Sequence, residues 1–220
     1  MKVTALRMQT RGKARVNVYL DGKFAFGLAR IVAARLSLGQ ELDEAAVAHL
    51  QGLDDAEMAY ERALRFLAPR PRSEAEVRRR LKQQKIIPAL IDGVIERLRA
   101  ASLLDDQAFA NYWVENRAAF RPRSERVLRA ELRQKGLPDE AVRAALAETD
   151  DAIAAYAVAA RRARRLAGLE YNDFRRRLGD FLARRGFNYD TIEPVVERVW
   201  TEQSGQAEAA QPDPSAGSEE

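Results

Sequence analysis

Pro71-Arg72-Ser73-Glu74 returns 51 residues later as Pro122-Arg123-Ser124-Glu125. The same spacing separates Leu81 from Leu132, Arg78 from Arg129 and Lys82 from Arg133. A third copy keeps register at an offset of 50, where Leu182-Ala183-Arg184-Arg185-Gly186-Phe187 matches Leu132-Arg133-Gln134-Lys135-Gly136-Leu137. At an offset of 101 from the first copy, Ile95-Glu96-Arg97 reappears as Val196-Glu197-Arg198. Self-similarity at a fixed period of this size marks a repeat architecture, and it sets the fold of residues 56 to 203.

Each copy parses into three helices. In the first, Tyr60, Leu64 and Leu67 line one helix, which Pro69 and Pro71 end. Ser73 opens the second, with Glu76 three residues on as a capping box, and Val77 and Leu81 face inward. Lys85-Ile86-Ile87-Pro88 breaks to a third helix striped by Ile91, Val94, Ile95 and Leu98. Copy two runs through Phe109, Tyr112, Trp113 and Phe120, then Val127, Leu128 and Leu132, then Val142 and Leu146. Copy three uses Ala154, Tyr156 and Ala160, then Leu178, Phe181 and Leu182, then Ile192, Val195 and Val199. The pattern predicts a mainly α chain of tandem three-helix modules, residues 56–104, 105–149 and 150–203, in an elongated array.

Residues 1–55 read differently. Arg15 to Leu20 and Lys23 to Leu28 are strand-like runs joined by Asp21-Gly22, a dipeptide favoured in two-residue hairpins. Pairing Leu20 with Lys23 puts Tyr19 opposite Phe24 and Val18 opposite Ala25, so both faces are partly apolar and both are expected to be covered. Val3 to Met8 forms a third strand, with Thr10 to Lys13 as its turn. Leu28, Ile31, Val32 and Leu36 then mark a helical face ending at Gly39, and Asp43 caps a second helix carrying Val47 and Leu50. Residues 204–220 offer nothing to bury and read as a disordered acidic tail.

Composition narrows the chemistry. Cysteine is absent, which removes disulfides, thiolate metal sites and cysteine nucleophiles and points to a cytoplasmic protein. His49 stands alone, too few for a histidine metal cluster. No apolar run is long enough to span a bilayer. The pairs Asp54-Asp55, Asp105-Asp106 and Asp150-Asp151 each precede a helix stripe, where a carboxylate caps rather than binds metal. No phosphate loop is present, because Arg7 stands where its first glycine would be. Phe109, Tyr112 and Trp113 have helical spacing and belong mostly to a core. Nothing here calls for a cofactor or an enzymatic role, and monomer is the expected state.

The net charge of +4 divides into +8 over residues 1–203 and −4 over the tail. On the second helices, Arg78, Arg79, Lys82 and Lys85 lie opposite Val77 and Leu81, and Arg129, Arg133 and Lys135 occupy the matching surface of copy two. In copy three, Gly179 and Ala183 replace two of these bases, and Arg175, Arg176, Arg184 and Arg185 carry the charge. Two readings stay open. One is a basic strip for phosphates or an acidic protein surface; the other is a solvated helix face with local glutamate partners.

Pro-Arg-Ser-Glu before a basic helix, Leu103-Leu104-Asp105-Asp106-Gln107-Ala108-Phe109-Ala110, Arg117, and Glu131-Leu132-Arg133-Gln134-Lys135-Gly136 together resemble the RecX family of recombinase regulators. The resemblance covers roughly residues 56 to 200, and the N-terminal hairpin is similar to an extension of its longer members. It implies a non-enzymatic protein lying in the groove of the RecA filament on single-stranded DNA, with double-stranded DNA as a further possible ligand. There it would inhibit ATP hydrolysis and strand exchange, and so modulate recombination and the SOS response. The contacts implied are Arg72, Arg78, Arg79, Lys82, Arg123, Arg129, Arg133 and Lys135, followed by Arg184 and Arg185, since the third module lacks the Pro-Arg-Ser start. The residues alone leave two alternatives open, a general helix-turn-helix nucleic-acid module and a helical adaptor without RecA specificity.

Overall fold

Asp21 and Gly22 adopt φ values of 48° and 81°, the left-handed pair that a tight hairpin turn demands. In this computed structural model, which describes residues 1–9 and 12–209, they join strands β2 (Gly12–Leu20) and β3 (Lys23–Ala29). Strand β1 (Val3–Gln9) pairs antiparallel with β2, giving the order β1-β2-β3. Thr10 and Arg11, in the expected turn, lie outside the described residues. Leu20 faces Lys23 and Tyr19 faces Phe24, as the turn requires, but Val18 pairs with Phe26 and not with Ala25. A β-bulge between Val18 and Tyr19 makes the difference, leaving Ala25 exposed.

The expectation that both faces of the hairpin are covered is also corrected. Val16, Val18, Leu20 and Leu28 are buried with Val3, Val32, Leu36, Leu42 and Leu50, so one face makes the core. The face bearing Tyr19 and Phe24 stays outside it. Helix α1 (Arg30–Ala33) is a single turn, too short to bury the whole predicted stripe, and Ile31 is exposed.

Asp43 caps helix α2 by accepting from the Ala46 N–H at 2.7 Å. That helix runs unbroken from Glu44 to Leu67, so the boundary drawn at residue 55 falls inside it. The reason is Asp54, read from sequence as a cap. It is buried, accepts the Ala29 N–H at 2.5 Å and pairs with Arg15 at 2.8 Å. Its carboxylate thus ties the helix middle to the end of the sheet instead of starting a new helix. The helix contributes Leu50 to the sheet core and Ala59 and Ala63 to the next one.

That next core is the first module. Helices α3 (Glu74–Gln83) and α4 (Pro88–Ala100) enclose Val77, Leu81, Ile91, Val94, Ile95 and Leu98 with the end of α2. Ser73, fully buried, forms the expected capping box with Glu76. By its contacts the chain divides after Asp105 into two compact units.

The second unit holds α5 (Asp106–Phe120), α6 (Glu125–Gln134), α7 (Asp139–Leu146), α8 (Asp151–Ala163), α9 (Tyr171–Ala183) and α10 (Tyr189–Ala209). Phe109, Leu128, Leu132, Leu137, Val142 and Leu146 form one core. Phe174, Leu178, Leu182, Ile192, Val195 and Val199 form the other. Ser124 and Asp150 cap α6 and α8. The last helix passes Ser204, where a disordered tail was expected, because the segment to Ala209 is rich in helix-forming Glu, Gln and Ala. The rest of that tail, 210–220, lies outside the described residues.

All three second helices end alike. Ile86, Leu137 and Phe187 donate their N–H to Leu81, Leu132 and Leu182, while Lys85, Gly136 and Gly186 donate to the carbonyls of Lys82, Arg133 and Ala183. This is the Schellman closure, with the left-handed residue at φ 62°, 79° and 94°. Only Lys85 is not glycine. Lys85→Gly is therefore expected to stabilise the protein by about 1 kcal/mol in a denaturant titration. Asp54→Ala is expected to cost about 3 kcal/mol in the same measurement, because it strands Arg15 and the Ala29 N–H.

Candidate functional site

The cations singled out from sequence fall into four environments. Arg78 donates to Glu74 at 2.7 Å and to Asp92 at 2.5 Å, and these two hydrogen bonds, Asp92 first, raise its pKa. Arg129 pairs with Glu125 at 2.5 Å and Arg133 with Asp139 at 3.1 Å. For these three, the reading as a helix face with local carboxylate partners describes what is seen. Such half-exposed pairs add little stability, and they cancel field that a ligand would otherwise feel.

Arg72 and Lys135 lie instead on aromatic rings. The Arg72 guanidinium sits 4.2 Å from the Phe66 centroid, and burial, then the neighbouring Arg70 charge, lowers its pKa. The Lys135 ammonium lies 4.8 Å from the Trp113 ring, which Arg117 also covers at 4.5 Å. Trp113 donates its indole N–H to Glu131 at 2.8 Å. Of the three aromatics read as mostly core, Phe109 is buried, Trp113 packs against the same core and Tyr112 is exposed. Arg79, Lys82 and Arg184 are exposed, and no ion pair is seen for them among the described residues.

Arg123 and Arg185 meet in a junction inside the second unit. The start of α6 docks on the end of α9: the Ser124 N–H donates to the Arg185 carbonyl at 3.2 Å, and Arg123 donates to the Arg184 carbonyl at 3.3 Å. In return the Arg185 guanidinium donates to the Pro122 carbonyl at 3.0 Å. The Glu125 N–H donates to Asp151 at 2.7 Å, and burial raises the Asp151 pKa against that bond. Contact is close enough that a Cβ on Gly186 would stand 2.2 Å from Val127 Cγ2 and 2.6 Å from Ser124 Oγ.

Beside this junction opens a cleft of about 240 Å³, lined by Phe120, Pro122, Val158, Arg161, Arg162, Arg165, Phe181 and Arg185. Among the described residues, no carboxylate lines it. The Arg162 and Arg185 guanidinium carbons lie 5.5 and 4.6 Å from the Phe181 centroid. Arg162 Nε is buried without a hydrogen-bond partner. Arg185 has its pKa lowered by burial first and then by the charges of Arg123 and Arg121. Phe120 is 76% exposed at the rim. The local cause is simple: the bases cluster at the C-terminal end of α8, where the helix dipole favours positive charge. Guanidinium groups without carboxylate partners among the described residues, beside the exposed Phe120 and the half-buried Phe181, suit a phosphate-bearing ligand.

Of the cations named from sequence, Arg185 alone lines this cleft, with Arg123 next to it. Arg161 and Arg162 close a first helix and Arg165 follows it, away from the second-helix strips to which the repeated sequence points. The signal was present: residues 152–169 contain four arginines and no acid. No group of metal-ligating side chains exists among the described residues, and no helix there is long and apolar enough to cross a membrane.

Comparison with known proteins gives a consistent result. Family models match in order: the regulatory protein RecX N-terminal domain at residues 1–43, and the first, second and third RecX three-helix domains at 59–98, 105–146 and 149–196. The regulatory protein RecX of Levilactobacillus brevis is 34% identical over 199 residues, covering 88% of this chain and 74% of that one. The regulatory protein RecX of Bacillus subtilis is 30% identical, covering 90% and 76%. A crystal structure of regulatory protein RecX superposes with a TM-score of 0.71 at 29% identity, over 89% of this chain and 98% of that one. That of RecX from Lactobacillus salivarius, at 24% identity, shares the fold with a TM-score of 0.59 over 68% and 99%.

The junction makes one demand that stability measurements read directly. Gly186→Ala is expected to destabilise the protein by at least about 2 kcal/mol in thermal or denaturant unfolding, since it adds both left-handed strain and overlap with Val127.

Proposed function

The chain belongs to the RecX family of regulatory proteins, and from that membership we propose that it restrains the RecA recombinase by binding along the RecA filament on single-stranded DNA. The observation that carries the proposal is the ordered match of the N-terminal domain and all three helical domains of that family. The protein acts by occupancy, as a monomer and without a reaction of its own. Bound across neighbouring subunits, it lowers ATP hydrolysis and strand exchange only to the extent that it prefers one filament state over the other.

The contacts fall first on cations that are not engaged inside the protein. These are Arg79 and Lys82 on α3, Arg184 at the end of α9, and Arg161 and Arg165 in the cleft, with Arg162 beside them against Phe181. Arg78, Arg129 and Arg133 can join only by giving up a carboxylate partner, and Arg72 and Lys135 by leaving a ring. Arg123 and Arg185 contribute their charge to the field while their donors hold the junction. The cleft also supports a second reading, direct binding of nucleic acid without RecA specificity, because unpaired arginines beside Phe120 and Phe181 recognise phosphate and base rather than a particular protein.

The decisive measurement is ATP turnover by RecA on single-stranded DNA as this protein is added, in a salt series. Turnover is expected to fall with dose, and the Arg161→Glu/Arg165→Glu and Arg79→Glu/Lys82→Glu variants are each expected to need about tenfold more protein for the same effect. Undiminished turnover at saturating protein would overturn the proposal. Equal inhibition of an unrelated DNA-dependent ATPase would select the second reading.

A further inference from the structure

The arginines around the cleft at the end of α8 repel one another, and among the described residues no carboxylate lining it offsets that repulsion. Arg161 and Arg165 are one turn apart, a spacing at which like charges destabilise a helix. Arg185 comes from beyond the end of α9, and its lowered pKa records burial and then the charges of Arg123 and Arg121. Arg162 Nε is buried with no hydrogen-bond partner. A bound anion offsets each of these costs.

Shape narrows the class of anion. The guanidinium groups converge on one concavity of about 240 Å³ instead of following a groove. A nucleic-acid strand brings one charge per nucleotide, spaced along its length, whereas a polyphosphate brings several on adjoining groups. Val158 and Pro122 are buried in the lining, so the charges act beside a low dielectric. Each guanidinium fork suits two phosphate oxygens at a time. The dipole at the C-terminal end of α8 opposes an anion by only about half a charge. Phe120 stands at the rim, 76% exposed and outside the core of its own module, as a platform for a planar base. Among the described residues the lining holds no side-chain amide, hydroxyl or carboxylate, so nothing reads the edge of that base.

We propose that the cleft binds a nucleoside polyphosphate, its phosphates held by Arg161, Arg165 and Arg185 and its base laid on Phe120 whichever base it is. The ligand is taken without magnesium, because no carboxylate lines the cleft to share the metal, and a metal cancels charge that the arginines recognise. It is bound and not hydrolysed, since arginine stays protonated and no other titratable side chain lines the cleft. This goes beyond the cleft as a filament contact while sharing Arg161 and Arg165 with that reading, so its test contains neither recombinase nor DNA.

Isothermal titration calorimetry of the full chain with ATP in EDTA at low salt gives the affinity, and GTP, CTP and inorganic tripolyphosphate are titrated in the same way. The three nucleotides are expected to bind within about threefold of one another, and tripolyphosphate at least about fivefold more weakly. Excess magnesium is expected to weaken all four. Arg161→Gln/Arg165→Gln is expected to weaken ATP at least about tenfold. Phe120→Ala is expected to weaken ATP about fivefold and to leave tripolyphosphate unchanged. All three positions are exposed, and thermal unfolding of each variant checks that the fold is kept. Absence of ATP binding up to about 1 mM, or unchanged ATP binding by Arg161→Gln/Arg165→Gln, would overturn the proposal. Equal affinity for ATP and tripolyphosphate would overturn it too, leaving a plain phosphate site. RecA turnover is read in a separate assay, so either proposal can fail while the other stands.

Discussion

A helix must begin somewhere, and its first N–H groups need acceptors when that beginning is buried. In this protein the second helix of the first two modules begins at a serine withdrawn almost wholly from water, Ser73 and Ser124. Each hydroxyl accepts one of those groups from inside. At Ser124 the same point also receives the end of α9, so the cap of one module becomes part of the junction with the next. Much of the second unit follows from it. Gly186 must lack a side chain, Pro122 must present its carbonyl, and Arg123 and Arg185 must turn their donors toward backbone oxygens. The repeated Pro-Arg-Ser-Glu is thus first a structural device.

This changes how the arginines are read. Charge repeated at the same place in successive modules resembles a binding strip, but Arg78, Arg129 and Arg133 each face a carboxylate on their own module. A nearly even count of bases and acids over residues 41–203 is the sequence-level trace of that pairing. Imbalance survives where acids are missing locally, as in the cleft at the end of α8, where Arg161, Arg162 and Arg165 gather beside the exposed Phe120.

Several features were legible without coordinates because they depend on neighbours in the chain. The hairpin turn follows from Asp21-Gly22 and the capping box from Ser73, which the repeat carries to Ser124. Local hydrogen bonds decide each of these. Asp54 shows the limit. Next to Asp55 and before an apolar stripe it reads as a cap, yet it binds Arg15 and Ala29 from the sheet, and the helix passes straight through. The bulge at Val18 was hidden for a related reason, since either pairing alternates acceptably and only the packing of Phe26 into the core selects one.

By itself, then, the sequence determined the repeat, the three-helix content of each module, the small N-terminal sheet and the family resemblance, because periodicity and capping act over a few residues. Tertiary structure decided which cations are available. Whether a guanidinium meets a carboxylate, a backbone carbonyl, an aromatic ring or water depends on residues 14 to 63 positions away, such as Asp92 for Arg78, Asp54 for Arg15 and Pro122 for Arg185. Electrostatic pairing is a property of distance in space, and spacing along the chain does not encode it.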